Sequence, residues 1–145
     1  MTTVNPYLTF NGTCEEAFNF YKSVFGGDIP YMGRYKDMPP VEGKSAPPSE
    51  GEKIMHTSLP ISKETMLMGS DSSEAFGKAT TIGNNISLSV VADTEEQAKK
   101  IFNGLSAGGK VTMALNKTFW GALFGMLTDK FGIHWMVNYD YKKDK

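Results

Sequence analysis

His56, His134, Arg34 and Cys14 are the side chains whose types could do more than solvate or pack. His56 sits in Ile54-Met55-His56-Thr57-Ser58-Leu59, a run that reads as a strand. Strand alternation puts His56 and Ser58 on one face with Ile54, and Met55, Thr57 and Leu59 on the other. Imidazole is the side chain type that can both give and take a proton under physiological conditions, so His56 is the candidate general base or ligand hydrogen-bonder. A strand histidine satisfied by a neighbour is the competing reading. Arg34, between Gly33 and Tyr35, offers a planar fork for a carboxylate or phosphate, or else a rim residue paired with a surface acid. Cys14 opens a helix, where a thiol pKa can fall, but no histidine is set beside it.

The two histidines lie in different strands without H-x-x-x-H spacing, and no Ser-His-Asp order, phosphate loop or zinc spacing occurs. Met66, Met68 and Met136, with Phe119 and Trp120, could line a site for a flat or variable apolar molecule, since methionine is adaptable and polarizable. Ordinary core packing is the alternative for each. Alternation turns Trp135 away from Met136 and gives Asn138 the same face as Met136.

The elements that must position these groups occur twice. Tyr7–Phe10 is β-compatible; Thr13 and Glu16 then form a capping-box pattern, and Ala17, Phe18, Phe20, Tyr21, Val24 and Phe25 recur at helical spacing. Gly26-Gly27 ends that helix. About 80 residues later, residues 86–91 read as a strand. Asp93-Thr94-Glu95-Glu96 offers an N-cap with glutamate at the third helical position, Ala98, Ile101, Phe102 and Leu105 make the apolar face, and Gly108-Gly109 stops it. Three strand candidates follow each glycine pair: 29–35, 53–61 and 65–69, then 110–115, 122–128 and 134–139, with the glycines of Trp120-Gly121-Ala122-Leu123-Phe124-Gly125 leaving 122–128 open between helix and strand. The spacing predicts one domain over 1–145, with a βαβββ module at 1–70, a polar connector at 71–84 and a second βαβββ module at 85–145. Residues 36–52, with Pro39-Pro40 and Pro47-Pro48, are expected to form a loop, either a lid or a surface insertion.

Composition bounds the rest. A chain of 145 residues has the size of one domain. A net charge of −1 gives no overall pull toward nucleic acid, and Lys142, Lys143 and Lys145 are interrupted by Asp144. No apolar run approaches a membrane span, the N-terminus lacks a signal-peptide pattern, and the lone Cys14 suits a reducing compartment. The expected location is the cytoplasm, with neither nucleic acid nor membrane as a partner.

The blocks Asn5-Pro6-Tyr7-Leu8-Thr9-Phe10-Asn11-Gly12, Glu15–Lys22, Lys53-Ile54-Met55-His56, Phe119-Trp120-Gly121-Ala122 and Asp129–Asn138 together resemble the PhnB-like branch of the vicinal oxygen chelate superfamily. That superfamily includes glyoxalase I, extradiol dioxygenases and bleomycin-resistance proteins. The resemblance implies an α+β fold in which paired βαβββ modules curl a mixed sheet around a cleft, often in a homodimer. Some members of the branch carry a label relating them to a demethylubiquinone methyltransferase; no G-x-G-x-x-G turn here suggests a nucleotide-type cofactor site. Superfamily enzymes hold a divalent ion with His or Glu on the first and last strands of each module. Carried over, those positions fall near Asn5–Tyr7, Met66–Met68, Asn85–Ser87 and Met136, none of them His, Asp or Glu.

The expectation is therefore a metal-independent, cofactor-free binding protein or enzyme for a small, partly apolar molecule. Tyr7, Arg34, His56, Ser58, Met68, Trp120, Met136 and Asn138 are its candidate contacts, and His56 the candidate catalytic group. The alternatives are a metal-dependent isomerase, lyase or dioxygenase, and a non-catalytic structural or regulatory partner protein.

Overall fold

The computed structural model describes residues 2–39, 48–73 and 79–141. The chain divides into two compact units, Met1–Thr81 and Ile82–Lys145. The proline-rich stretch at 40–47, part of the connector at 74–78 and the lysine tail lie outside the described residues.

The first unit runs β1 (Tyr7–Phe10), α1 (Cys14–Phe25), β2 (Tyr31–Arg34), β3 (Ile54–Pro60) and β4 (Met66–Asp71). Its sheet has the order β1-β4-β3-β2, with β1 parallel to β4 and the other pairs antiparallel. The second unit repeats this with β5 (Leu88–Val91), α2 (Glu95–Ser106), β6 (Lys110–Lys117), β7 (Ala122–Thr128) and β8 (His134–Asp140) in the order β5-β8-β7-β6. Both modules are therefore βαβββ, and the fold is α+β with two four-stranded mixed sheets that do not close.

In each unit one sheet face is apolar and packs under the helix. Leu8, Phe10, Leu59 and Leu67 are buried there with Phe18 and Tyr21 of α1. In the second unit Leu123, Leu127, Trp135, Val137 and Tyr139 are buried with Ile101, Phe102 and Leu105 of α2. Alternation sends Tyr7, His56, Ser58 and Met68 in the first unit, and Met126, Met136 and Asn138 in the second, to the other face.

The helix starts differ from their expected form. Thr13 precedes α1 but makes no side-chain cap bond. Asp71, at the end of β4, supplies it: Oδ1 accepts from the amides of Gly12 (3.0 Å) and Cys14 (2.9 Å), and Oδ2 from Ile54 (2.9 Å). In α2 the cap is Thr94, not Asp93; its side chain accepts from the Gln97 amide while Gln97 accepts from the Asp93 amide. Gln97, rather than a glutamate, closes the box. Both helices end on left-handed glycine as expected, at Gly26 (φ 82°) and Gly108 (φ 74°).

Candidate functional site

The face of the first sheet turned away from α1 carries an aromatic group centred on His56. In register, Tyr7 of β1 lies beside Met68 of β4, Met68 beside Ser58 of β3, and Ser58 beside Tyr31 of β2. Tyr7, Met68, Ser58 and Tyr31 thus form one row across the sheet, and His56 stands two residues from Ser58 on the same face. The Tyr7 hydroxyl and His56 Nδ1 are 3.1 Å apart. Their rings stack at 5.6 Å, and the Tyr31 ring lies 6.1 Å from His56 on its other side. Tyr7 is 47% and Tyr31 51% exposed, while Ser58 is buried.

Gly33 makes room for this. It pairs with His56 across β2–β3, and a side chain there would run into the Tyr31 ring. The sheet register therefore brings together Tyr7, His56, Ser58 and Met68 of the candidate contacts, and adds Tyr31, which sequence reading missed. The available signal was Tyr31-Met32-Gly33: a tyrosine two residues from a glycine on one strand face has room to lie flat.

Arg34 is placed elsewhere. Its guanidinium is bidentate to Glu15 of α1, at 3.0 and 2.8 Å, and a further N–H donates to the Glu52 carbonyl at 2.8 Å. It lies on the α1 side of the sheet. The Arg34 hydrogen bond holds the Glu15 carboxyl below the usual carboxylate range; burial opposes it, and the Arg34 charge adds a smaller lowering. A lowered folded-state pKa means the pair stabilises above the ordinary glutamate pKa and loses that stabilisation as pH falls through the folded value. Arg34→Met is expected to flatten the stability-versus-pH curve below about pH 4.3, by the 0.2–1 kcal/mol typical of exposed pairs. Urea melts of both proteins between pH 3 and 7 measure it.

Cys14 is fully buried. Burial first, and then the nearby Asp71 and Glu15 charges, push its thiol far above the ordinary range, so it stays protonated and is no nucleophile.

In the second unit, Met136 pairs with Ser89 of β5 and Met126 of β7, and Asn138 with Val91 and Phe124. Both point away from α2. Trp120 sits in the β6–β7 turn, half exposed, with its ring 5.0 Å from Phe119 and 6.1 Å from Phe124. His134 has both ring nitrogens engaged, Nδ1 with the Thr128 hydroxyl (2.9 Å) and Nε2 with the Gly83 carbonyl (3.0 Å).

Of the positions onto which the resemblance carries a divalent-ion site, Asn5–Tyr7, Met66–Met68, Asn85–Ser87 and Met136, Tyr7 and Met68 are paired in register, and Met136 pairs with Ser89 rather than with a residue of 85–87. A phenol, a hydroxyl and two thioethers form no set for a hard oxygen-seeking cation. Among the described residues no three His, Cys, Asp or Glu side chains gather at one point. Nor is any described helix long and apolar enough to cross a membrane.

Two βαβββ units with this strand order define the glyoxalase/bleomycin-resistance fold. A glyoxalase/bleomycin resistance protein from Albidiferax ferrireducens T118 shares it over 96% of this chain and 98% of its own, at 17% identity and a TM-score of 0.60. More narrowly, the chain belongs to the family described as 3-demethylubiquinone-9 3-methyltransferase, which matches residues 2–138. It is 38% identical to protein PA1353 from Pseudomonas aeruginosa, with coverage of 97% and 98% and a TM-score of 0.83. It is 29% identical to a PhnB protein from Bacillus cereus, with coverage of 95% and 99% and a TM-score of 0.71.

Proposed function

We propose that this PhnB-like chain is a metal-independent binding protein or enzyme for a small, partly apolar molecule, which lies on the first sheet against Tyr7, His56 and Tyr31. The observation that carries this is the 3.1 Å contact between the Tyr7 hydroxyl and His56 Nδ1, flanked by the half-exposed Tyr31 ring. With the phenol donating to Nδ1, neutral His56 carries its proton on Nε2 and presents a donor to a ligand. With the tautomer reversed, Nε2 becomes an acceptor and His56 a general base. Ring faces and the Met68 thioether supply an apolar floor, and a platform of this kind favours planar molecules. The lowered pKa of Glu15 beside Arg34 fits a structural pair better than an anion clamp. On the second unit, Met136, Asn138 and Trp120 are proposed as contacts on that unit's own face. The protein is further proposed to act in the cytoplasm as a homodimer, supported by its lone reduced cysteine and by the habit of its family.

The test is a pooled-metabolite thermal-shift screen followed by titration of each hit. For a hit on this platform, His56→Ala and Tyr7→Phe are expected to weaken binding tenfold or more, about 1.4 kcal/mol. The melting temperature of each ligand-free variant should stay near that of the parent. Hits whose affinity neither variant changes would overturn the platform reading.

A further inference from the structure

The second unit carries a row of methionines of which the proposed function uses only Met136. Its three neighbouring strands β8, β7 and β6 place Met136, Met126 and Met113 in one row: Met136 pairs with Met126, and Met126 with Met113, on either side of which the β6 register shifts. Paired residues share a sheet face. Here that face is opposite α2, because Gly125 and Leu127, on either side of Met126, face the helix. Met113 is 51% exposed, and Met126 and Met136 are only partly buried.

Methionine is not a favoured residue for half-exposed strand positions, where β-branched and aromatic side chains prevail. Adjacent strands lie about 4.8 Å apart, and each thioether swings on three rotatable bonds, so three sulfurs can converge over the central strand. The row is electrically neutral. The charged or titratable groups on its face are His134, whose nitrogens are both engaged, Asp140, four residues from Met136 and so roughly 13 Å along the strand, and Lys110, which pairs with Thr128 two residues from Met126.

We propose that Met113, Met126 and Met136 form a binding site for a soft monovalent cation, Cu(I) or Ag(I). The donor chemistry that argues against a hard divalent ion favours this one, since neutral thioethers select soft metals. Thioethers bind without losing a proton, so the affinity is flat across neutral pH, unlike that of a thiolate or imidazole site. The reading does not depend on the platform of the first unit.

The probe is silver nitrate in chloride-free buffer, followed through the ¹³C-labelled methionine methyl signals of the full chain. The methyls of Met113, Met126 and Met136 are expected to shift together and saturate at one Ag(I) per chain, equally at pH 6 and pH 8. Met126→Leu keeps the volume and the apolar surface but removes the sulfur, and should lower the affinity tenfold or more with the amide spectrum retained. Met113→Leu, at the sheet edge, provides the same test should the central variant misfold. Because silver also takes thiols, the stoichiometry is checked in Cys14→Ala, while the methyl signals of the parent chain report the thioethers directly. Binding that survives both leucine variants, spreads over all methionine methyls without saturating, or weakens at pH 6 would overturn the proposal, the last by pointing to an imidazole.

Discussion

Asp71→Ala is expected to destabilise the protein by about 3–5 kcal/mol, the cost of leaving two buried amides and one part-buried amide without an acceptor, at about 1–3 kcal/mol for each buried one. Asp71 is 2% exposed, and its two oxygens serve three amides from two different elements. Gly12 and Cys14 are the entry to α1, and Ile54 begins β3. One side chain thus satisfies donors at the helix start and fixes β4 to the strand beside it. Alanine would orphan all three N–H groups and open a void that water enters only at the expense of packing. Asp71→Asn keeps one acceptor oxygen and should lose roughly half as much. Thr13→Ala should stay within about 0.5 kcal/mol, because the Thr13 side chain bonds no helix amide. Urea denaturation of the three variants measures the differences. If Thr13→Ala proved as costly as Asp71→Ala, the cap would be local after all.

That contrast shows where a sequence can and cannot be read. Repeats of cap, stripe and glycine stop are local signals, and they located both helices and the strand candidates around them, β1 to the residue; the segment 122–128, open between helix and strand in the sequence, is the strand β7. Where the determinant is distant, local reading fails. The group that caps α1 lies 57 residues from Cys14, so a plausible Thr13–Glu16 box stood in for it. In α2 the determinant is local, and the error was a single residue, Asp93 for Thr94.

The site followed the same rule. Alternation alone put His56 and Ser58 on one face, but Tyr7, the partner of His56, is 49 residues away and on a strand that does not pair with β3. Only the order β1-β4-β3 brings them within reach, across Met68. Arg34 was legible as a residue with two readings, and the partner that separates them, Glu15, came into view only with the helix docked.

Gly125→Ala is the second large loss to expect, about 3 kcal/mol, near the upper end of ordinary overpacking costs. A Cβ at Gly125 would lie 2.6 Å from Phe102 Cε1 and 2.9 Å from Leu115 Cα. The glycine lets the Phe102 ring of α2 rest directly on β7, beside the irregularity in β6 between Met113 and Asn116. The first unit solves the same problem the same way: at Gly69 of β4, a Cβ would meet Phe18 Cε1 at 2.6 Å and the Leu8 carbonyl at 2.8 Å. In each unit the helix comes down on the sheet through one aromatic ring over one glycine. Both substitutions should therefore cost similar amounts, although neither glycine has a left-handed backbone, so conformational freedom is not the reason. The ring can be trimmed. Gly125→Ala combined with Phe102→Leu should destabilise by at least 1 kcal/mol less than the sum of the two single changes, since the smaller side chain removes one of the two clashes. Relief should be partial, because the Leu115 backbone cannot be trimmed. Strict additivity in a chemical-denaturation cycle would mean that the ring does not rest on the glycine, and the shared packing device of the two units would have to be given up.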